Sequence, residues 1–133
     1  MKKGTLPVRP GESPWTKAEI AGVREELSED LRELDQELQD MAADLADLMS
    51  EAIDGAGDDQ ADAGTKTFER EHEMALAAGV RDVRDQVAHA LDRLESGDYG
   101  ICESCGQPIG KLRLQAFPRA TLCLECKRRQ ERR

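Results

Sequence analysis

The stretch KAEIAGVREELSEDLRELDQELQDMAADLADLMS, residues 17–50, decides the fold. Large apolar residues recur at Ile20, Val23, Leu27, Leu31, Leu34, Leu38, Met41, Leu45 and Leu48, three or four apart. That period places them on one stripe of an α-helix. Sustained over about four heptads with Glu, Asp and Arg between, it marks a coiled-coil strand. Upstream, Thr16 stands three residues before Glu19, the spacing of a capping box, so the helix is predicted to begin there. Residues 1–16 hold three prolines plus Gly4 and Gly11, and read as a flexible, extended arm.

Downstream, the stripe breaks at Asp54-Gly55-Ala56-Gly57-Asp58-Asp59-Gln60-Ala61-Asp62-Ala63-Gly64, where three glycines and four aspartates leave no apolar periodicity. A second stripe follows at Leu76, Val80, Val83, Val87, Leu91 and Leu94, and ends at Ser96-Gly97. Two such segments joined by a polar turn fold back most simply as an antiparallel helical hairpin over residues 17–96, with an acidic tip at 54–65. At 1.5 Å per residue, helices of about 30 to 38 residues would make a rod roughly 45 to 55 Å long. Pairing with a second chain in parallel would leave the breaker loop unexplained and crowd like charges, so a monomer is expected. The fold class is all-α. Gly79 inside the second helix costs about 1 kcal/mol against alanine.

The C-terminal part carries a different signal. Its four cysteines, the only ones in the chain, form two C-x2-C pairs, Cys102-Glu-Ser-Cys105 and Cys123-Leu-Glu-Cys126, separated by seventeen residues. Each pair can turn both sulfurs to one point, and together they supply the four thiolates of a closed tetrahedral Zn²⁺ site. Four protein ligands leave no position for water, so the zinc is expected to be structural, the module to span 97–128, and a basic tail to follow at 129–133. Two disulfides would need an oxidising compartment, and the N-terminal residues show no apolar export segment, which points to the cytoplasm. A thioredoxin-like site would want one pair inside a βαβ pattern. His72 and His89 lack neighbours at ligand spacing and read as surface residues.

Charge narrows the function. Of a net charge of −9, residues 1–17 contribute +3, residues 18–96 contribute −16 and residues 97–133 contribute +4. Duplex DNA binding draws its affinity from Lys and Arg on phosphates, which the acidic middle would repel, so no direct specific DNA binding is expected. No apolar run reaches the ~20 residues that cross a bilayer.

With cysteines, hairpin and tip in view, the chain resembles the DksA/TraR family of bacterial transcription regulators. The resemblance rests on Cys102-Glu-Ser-Cys105-Gly-Gln-Pro-Ile109-Gly-Lys-Leu-Arg113-Leu-Gln-Ala-Phe-Pro118-Arg-Ala-Thr-Leu-Cys123-Leu-Glu-Cys126 and on the preceding Gly97-Asp98-Tyr99-Gly100-Ile101. With the hairpin it extends over about residues 17–128. It implies a non-enzymatic regulator that binds RNA polymerase, docks by its zinc-finger base and short C-terminal helix, and passes the hairpin through the secondary channel. The tip then approaches the polymerase active site and modulates initiation. Members carry a D-x-x-D-x-A tip, which Asp59-Gln-Ala-Asp62-Ala-Gly64 matches with Gly64 in place of alanine, Asp62 lying forty residues before Cys102. Basic residues that help members bind ppGpp correspond here to Gln86 and Phe117, so the resemblance implies an alarmone response that is weak or absent. Alternatives are a Gre-like assistant of transcript cleavage, a DNA-binding finger and a redox-sensing finger.

Overall fold

The computed structural model describes residues 6–54 and 60–132, and side chains outside 52–62 within that range. Four helices follow in order: α1 (Lys17–Asp54), α2 (Gln60–Ser96), α3 (Lys111–Ala116) and α4 (Leu124–Glu131). Among the described residues the only β pairing is a single antiparallel bridge between Ile101 and Pro108. The chain divides into two compact units, one made of residues 1–30 with 86–133, the other of residues 31–85.

In the first unit, the capping box at the start of α1 closes in both directions. The Thr16 N–H donates to Glu19 Oε1 at 2.9 Å, and the Glu19 N–H donates to Thr16 Oγ1 at 3.1 Å. Two of the backbone donors that any helix start leaves unpaired are thereby satisfied. Val23 and Leu27 of α1 are buried with Val87 and Leu94 of α2, as the stripes predict, and Ala90 joins them. Arg24 Nε bonds Glu95 at 3.0 Å on the outside of this pair. α2 stops where Gly97, at φ 90°, donates its N–H to the Arg93 carbonyl at 2.8 Å. A positive φ there is cheap only for glycine.

Tyr99 then turns inward. Its side chain is 1 % exposed, and its hydroxyl donates to the Pro118 carbonyl at 2.8 Å, tying the entry of the finger to its far loop.

The arm, read from its prolines and glycines as flexible, is fastened along residues 6–16. Leu6 and Trp15 are buried. Pro7 lies against Gly100, where an added Cβ would stand 3.4 Å from its ring, and Arg9 lies against Gly110, where a Cβ would meet its side chain at 3.0 Å. Glu12 accepts the backbone N–H groups of Lys111 and Leu112 at 2.9 and 3.0 Å. α3 has no side-chain cap of its own, and Glu12 supplies one from the other end of the chain.

Lys111 closes the clamp. It is 6 % exposed, and its ammonium donates to Ser13 Oγ, the Pro14 carbonyl and Glu19, the last at 2.7 Å, 5.9 Å from the centre of the Trp15 ring. A buried ammonium is tolerable only when its donors are paired, and here they are.

That geometry has a pH consequence. The bond from Lys111, with those from Thr16 and Gln115, holds the Glu19 carboxyl at about 2, below its usual 4.5. A depressed carboxylate stabilises the fold above its unfolded pKa, and the contribution fades as pH falls from about 4.5 towards 2. Urea unfolding of wild type and Glu19→Gln across pH 2 to 7 should therefore show curves separated at neutral pH that converge at the acid end. Parallel curves would mean that Glu19 carries no such linkage.

In the second unit, α1 keeps its predicted stripe half-buried at Leu31, Leu34, Leu38, Met41, Leu45 and Leu48. The α2 stripe needs one correction. Leu76 is 46 % exposed, and the half-buried positions run Arg70, Glu73, Ala77, Val80 and Val83. The seam keeps its heptad spacing, but its outer part uses small and charged residues that an apolar pattern does not reveal. Arg84 Nε pairs with Asp35 at 2.8 Å across the two helices. Gly79 is exposed within α2 with nothing near its missing Cβ, so no packing contact requires it.

Candidate metal centre and hairpin residues

The four cysteines converge from two structures of opposite kind. Cys102 and Cys105 sit on a tight turn in which the Gly106 N–H bonds the Cys102 carbonyl at 3.0 Å and the Cys102 N–H bonds the Gln107 carbonyl at 2.8 Å. Gly106, at φ 76°, permits the reversal. Cys123 and Cys126 open α4: Cys123 is its N-cap, and its sulfur accepts the Cys126 N–H at 3.5 Å. The positive end of that helix faces the sulfurs, where negative charge is favoured.

All four Sγ atoms lie within 4.8 Å of one another, and those of Cys105 and Cys123 are 3.8 Å apart. Zinc–sulfur bonds of about 2.3 Å in a tetrahedron put sulfurs about 3.8 Å apart, so the donor set fits Zn²⁺. The thiol chemistry points the same way. Burial pushes Cys102 up, but backbone N–H groups of Cys105, Cys123 and Ser104 outweigh it and hold the thiol at about 6. At Cys126 the Ser104 hydroxyl favours the thiolate, yet the other three sulfurs and burial carry it to about 12. Four sulfurs this close cannot all ionise without a cation among them, and a zinc ion would supply that charge. Cys102, Cys105, Cys123 and Cys126 are therefore the four residues that would hold one structural zinc. Three of them are buried, and among them only Cys105 is exposed.

The centre is braced from α2. His89 Nε2 lies 2.6 Å from Glu103, next in sequence to Cys102, and Arg93 stands 3.6 Å from the same carboxylate. His89 is thus a surface residue with a partner rather than a ligand. Arg113 Nε donates to the Leu122 carbonyl at 3.1 Å, fixing the segment that leads into Cys123.

The other predicted positions separate. Asp59 lies outside the described residues, as does the side chain of Asp62. Asp62 and Gly64 belong to the first turns of α2, and Gly64 has open space where a Cβ would stand. Gln86 and Phe117 are brought together by a residue that sequence reasoning passed over. Arg119 Nε donates to Gln86 at 3.0 Å while its guanidinium lies 4.6 Å from the centre of the Phe117 ring. Also unforeseen were α3 and the Glu12–Lys111–Glu19 clamp. The only local hint of either was Gly110 before Lys111, a glycine at φ 114° opening a helix.

Among the described residues, no helix is long and apolar enough to cross a membrane. The family described as prokaryotic dksA/traR C4-type zinc finger matches residues 97–132. The chain is 40 % identical over 75 residues to the RNA polymerase-binding transcription factor DksA of Caulobacter vibrioides, covering 56 % of this chain and 53 % of that protein. It is 40 % identical over 62 residues to the protein of the same name from Escherichia coli K12, covering 44 % and 41 %. The matched stretch thus spans about half the length of these relatives or less. The solved structure of transcription factor DksA2 from Pseudomonas aeruginosa matches over 87 % of this chain and 85 % of its own, at 34 % identity and a TM-score of 0.71. A four-cysteine zinc finger, the paired long helices and this likeness along nearly the full length agree: the chain belongs to the DksA/TraR family, whose named members here are transcription factors rather than enzymes.

Proposed function

We propose that this protein is a cytoplasmic, monomeric regulator of transcription that binds RNA polymerase through its finger and α4. In this reading the hairpin enters the secondary channel and Asp59 and Asp62 act near the active site to modulate initiation. The observation that carries it is the likeness to DksA2 over 87 % of the chain, together with relatives named for polymerase binding. Charge supports a division of labour between the basic C-terminal module and the acidic helices. Carboxylates brought near Mg²⁺ and basic loops can bias a polymerase conformation without chemistry of their own. Arg119 engages both Gln86 and Phe117, in keeping with a weak or absent response to ppGpp.

The test is co-purification with RNA polymerase, paired with transcription from a responsive promoter, for wild type and Asp59→Asn/Asp62→Asn. Binding should stay within about twofold while the transcriptional effect is lost. Loss of binding in the double variant would overturn the division of labour. Shortening of transcripts in backtracked complexes that depends on the two aspartates would replace it with a cleavage-assisting role.

A further inference from the structure

Arg93, on the last turn of α2, holds the entry to the finger with its backbone and its side chain together. Its carbonyl accepts the N–H groups of Gly97, Asp98 and Tyr99 at 2.8, 2.9 and 3.2 Å. Its guanidinium reaches further along the same segment. Nη2 donates to the Asp98 carbonyl at 2.8 Å and to the Ile101 carbonyl, while Nη1 stands 3.6 Å from Glu103. Ile101 and Glu103 are the two chain neighbours of Cys102. One side chain of the hairpin thus grips the backbone just before the first cysteine and the carboxylate just after it.

Burial separates this arrangement from an ordinary ion pair. The Arg93 side chain is 11 % exposed, against 46 % for Arg24 in its pair with Glu95. Exposed pairs contribute little, whereas a guanidinium this buried needs its donors met, and Arg93 meets them on the finger. Lysine could not do the same, because two carbonyls and a carboxylate are reached here by one planar fork. From Glu103 the path runs on to the other half of the centre. His89, one turn before Arg93 on α2, holds the same carboxylate oxygen at 2.6 Å, and the Glu103 N–H donates to the carbonyl of Thr121, two residues before Cys123, at 2.9 Å.

We infer that Arg93 is the positioning residue that couples the metal centre to the root of the hairpin, fixing the Cys102 segment for zinc and leaving the last turn of α2 dependent on the metal in return. Groups that orient a metal's ligands from behind are worth roughly ten- to a hundredfold in metal affinity. Such coupling is reciprocal, so what Arg93 gives the metal, the metal gives the helix end. The inference is independent of the polymerase reading, since both halves of it belong to the chain alone.

The experiment titrates the full chain with zinc against a chromophoric chelator of known affinity, for wild type, Arg93→Lys, Glu103→Ala and Val87→Ala. Val87 is 1 % exposed in the same unit, and its truncation weakens the helix pair whether or not metal is bound, so it measures what destabilisation alone does. Arg93→Lys and Glu103→Ala should bind zinc roughly ten- to a hundredfold more weakly, and Val87→Ala should stay within about threefold of wild type. In the wild-type chain, removing zinc should speed amide exchange of residues 93–96 by about tenfold or more. Zinc affinity of Arg93→Lys within about threefold of wild type, or an equal loss in Val87→Ala, would overturn the assignment, because the arginine would then be a stabilising contact and nothing more. Amides at the end of α2 that exchange alike with and without zinc would overturn it too. That last measurement uses the native chain, and decides the matter even where a substitution prevents folding.

Discussion

Stripping zinc from the intact chain with a strong chelator is expected to unfold residues 97–127 while the long helices keep most of their far-ultraviolet signal. The finger owns few buried residues, and three of them, Cys102, Cys123 and Cys126, are cysteines of the cluster that would hold the metal. A structural zinc contributes on the order of 10 kcal/mol or more to folding, as much as the whole stability of many domains. No rearrangement of Tyr99, Ile109, Leu114 and Ala120 can replace that. The metal-free protein should show amide resonances of the finger collapsed into the unfolded range, and Cys126→Ser should do the same without a chelator. Helical signal should fall little, because α3 and α4 are only 6 and 8 residues long. A finger that stays dispersed in the metal-free chain would show that the metal is incidental to its fold.

Deletion of residues 1–14 is expected to destabilise the first unit by roughly 3 to 4 kcal/mol. Burial of Leu6 contributes about 2 kcal/mol of this. The cap that Glu12 places on α3 adds about 1 kcal/mol. The rest comes from Lys111, which loses the Ser13 hydroxyl and the Pro14 carbonyl and keeps Glu19 alone. Trp15 is the only tryptophan in the chain and is buried in this unit, so urea unfolding followed by its fluorescence reads the loss directly. Glu12→Gln should lose only the share that belongs to the cap. A deletion that costs under about 1 kcal/mol would mean that the arm merely rests on the finger.

How much of this could be read in advance depends on the range of the interactions. The α1 stripe and the Thr16–Glu19 box are local, three or four residues apart, and both stand in the structure where the sequence puts them. The cysteines were legible for another reason: metal geometry restricts spacing so strongly that two C-x2-C pairs have few other uses. The arm was illegible because its order comes from Gly100, Gly110 and Lys111, about a hundred residues away, while its own prolines and glycines speak only of turns. Leu76 was misplaced because a pattern of large apolar residues cannot see a seam built with Ala77 and Glu73. Lys111 looked like any surface lysine, since nothing nearby announces that Ser13, Pro14 and Glu19 will surround it.

The bond from the Lys111 N–H to Glu12 joins residues 99 apart in the chain. Synthesis runs from the N-terminus at about 5 to 20 residues per second, so the arm, made before the finger, waits on the order of 5 to 20 seconds for its partner to exist. During that interval the arm has nothing to hold, and closing so large a loop is entropically slow. The hairpin, whose partners are close in sequence, can form meanwhile. Completion of the first unit thus waits on synthesis of the finger, and a chain truncated before Lys111 would carry an arm with no place to settle.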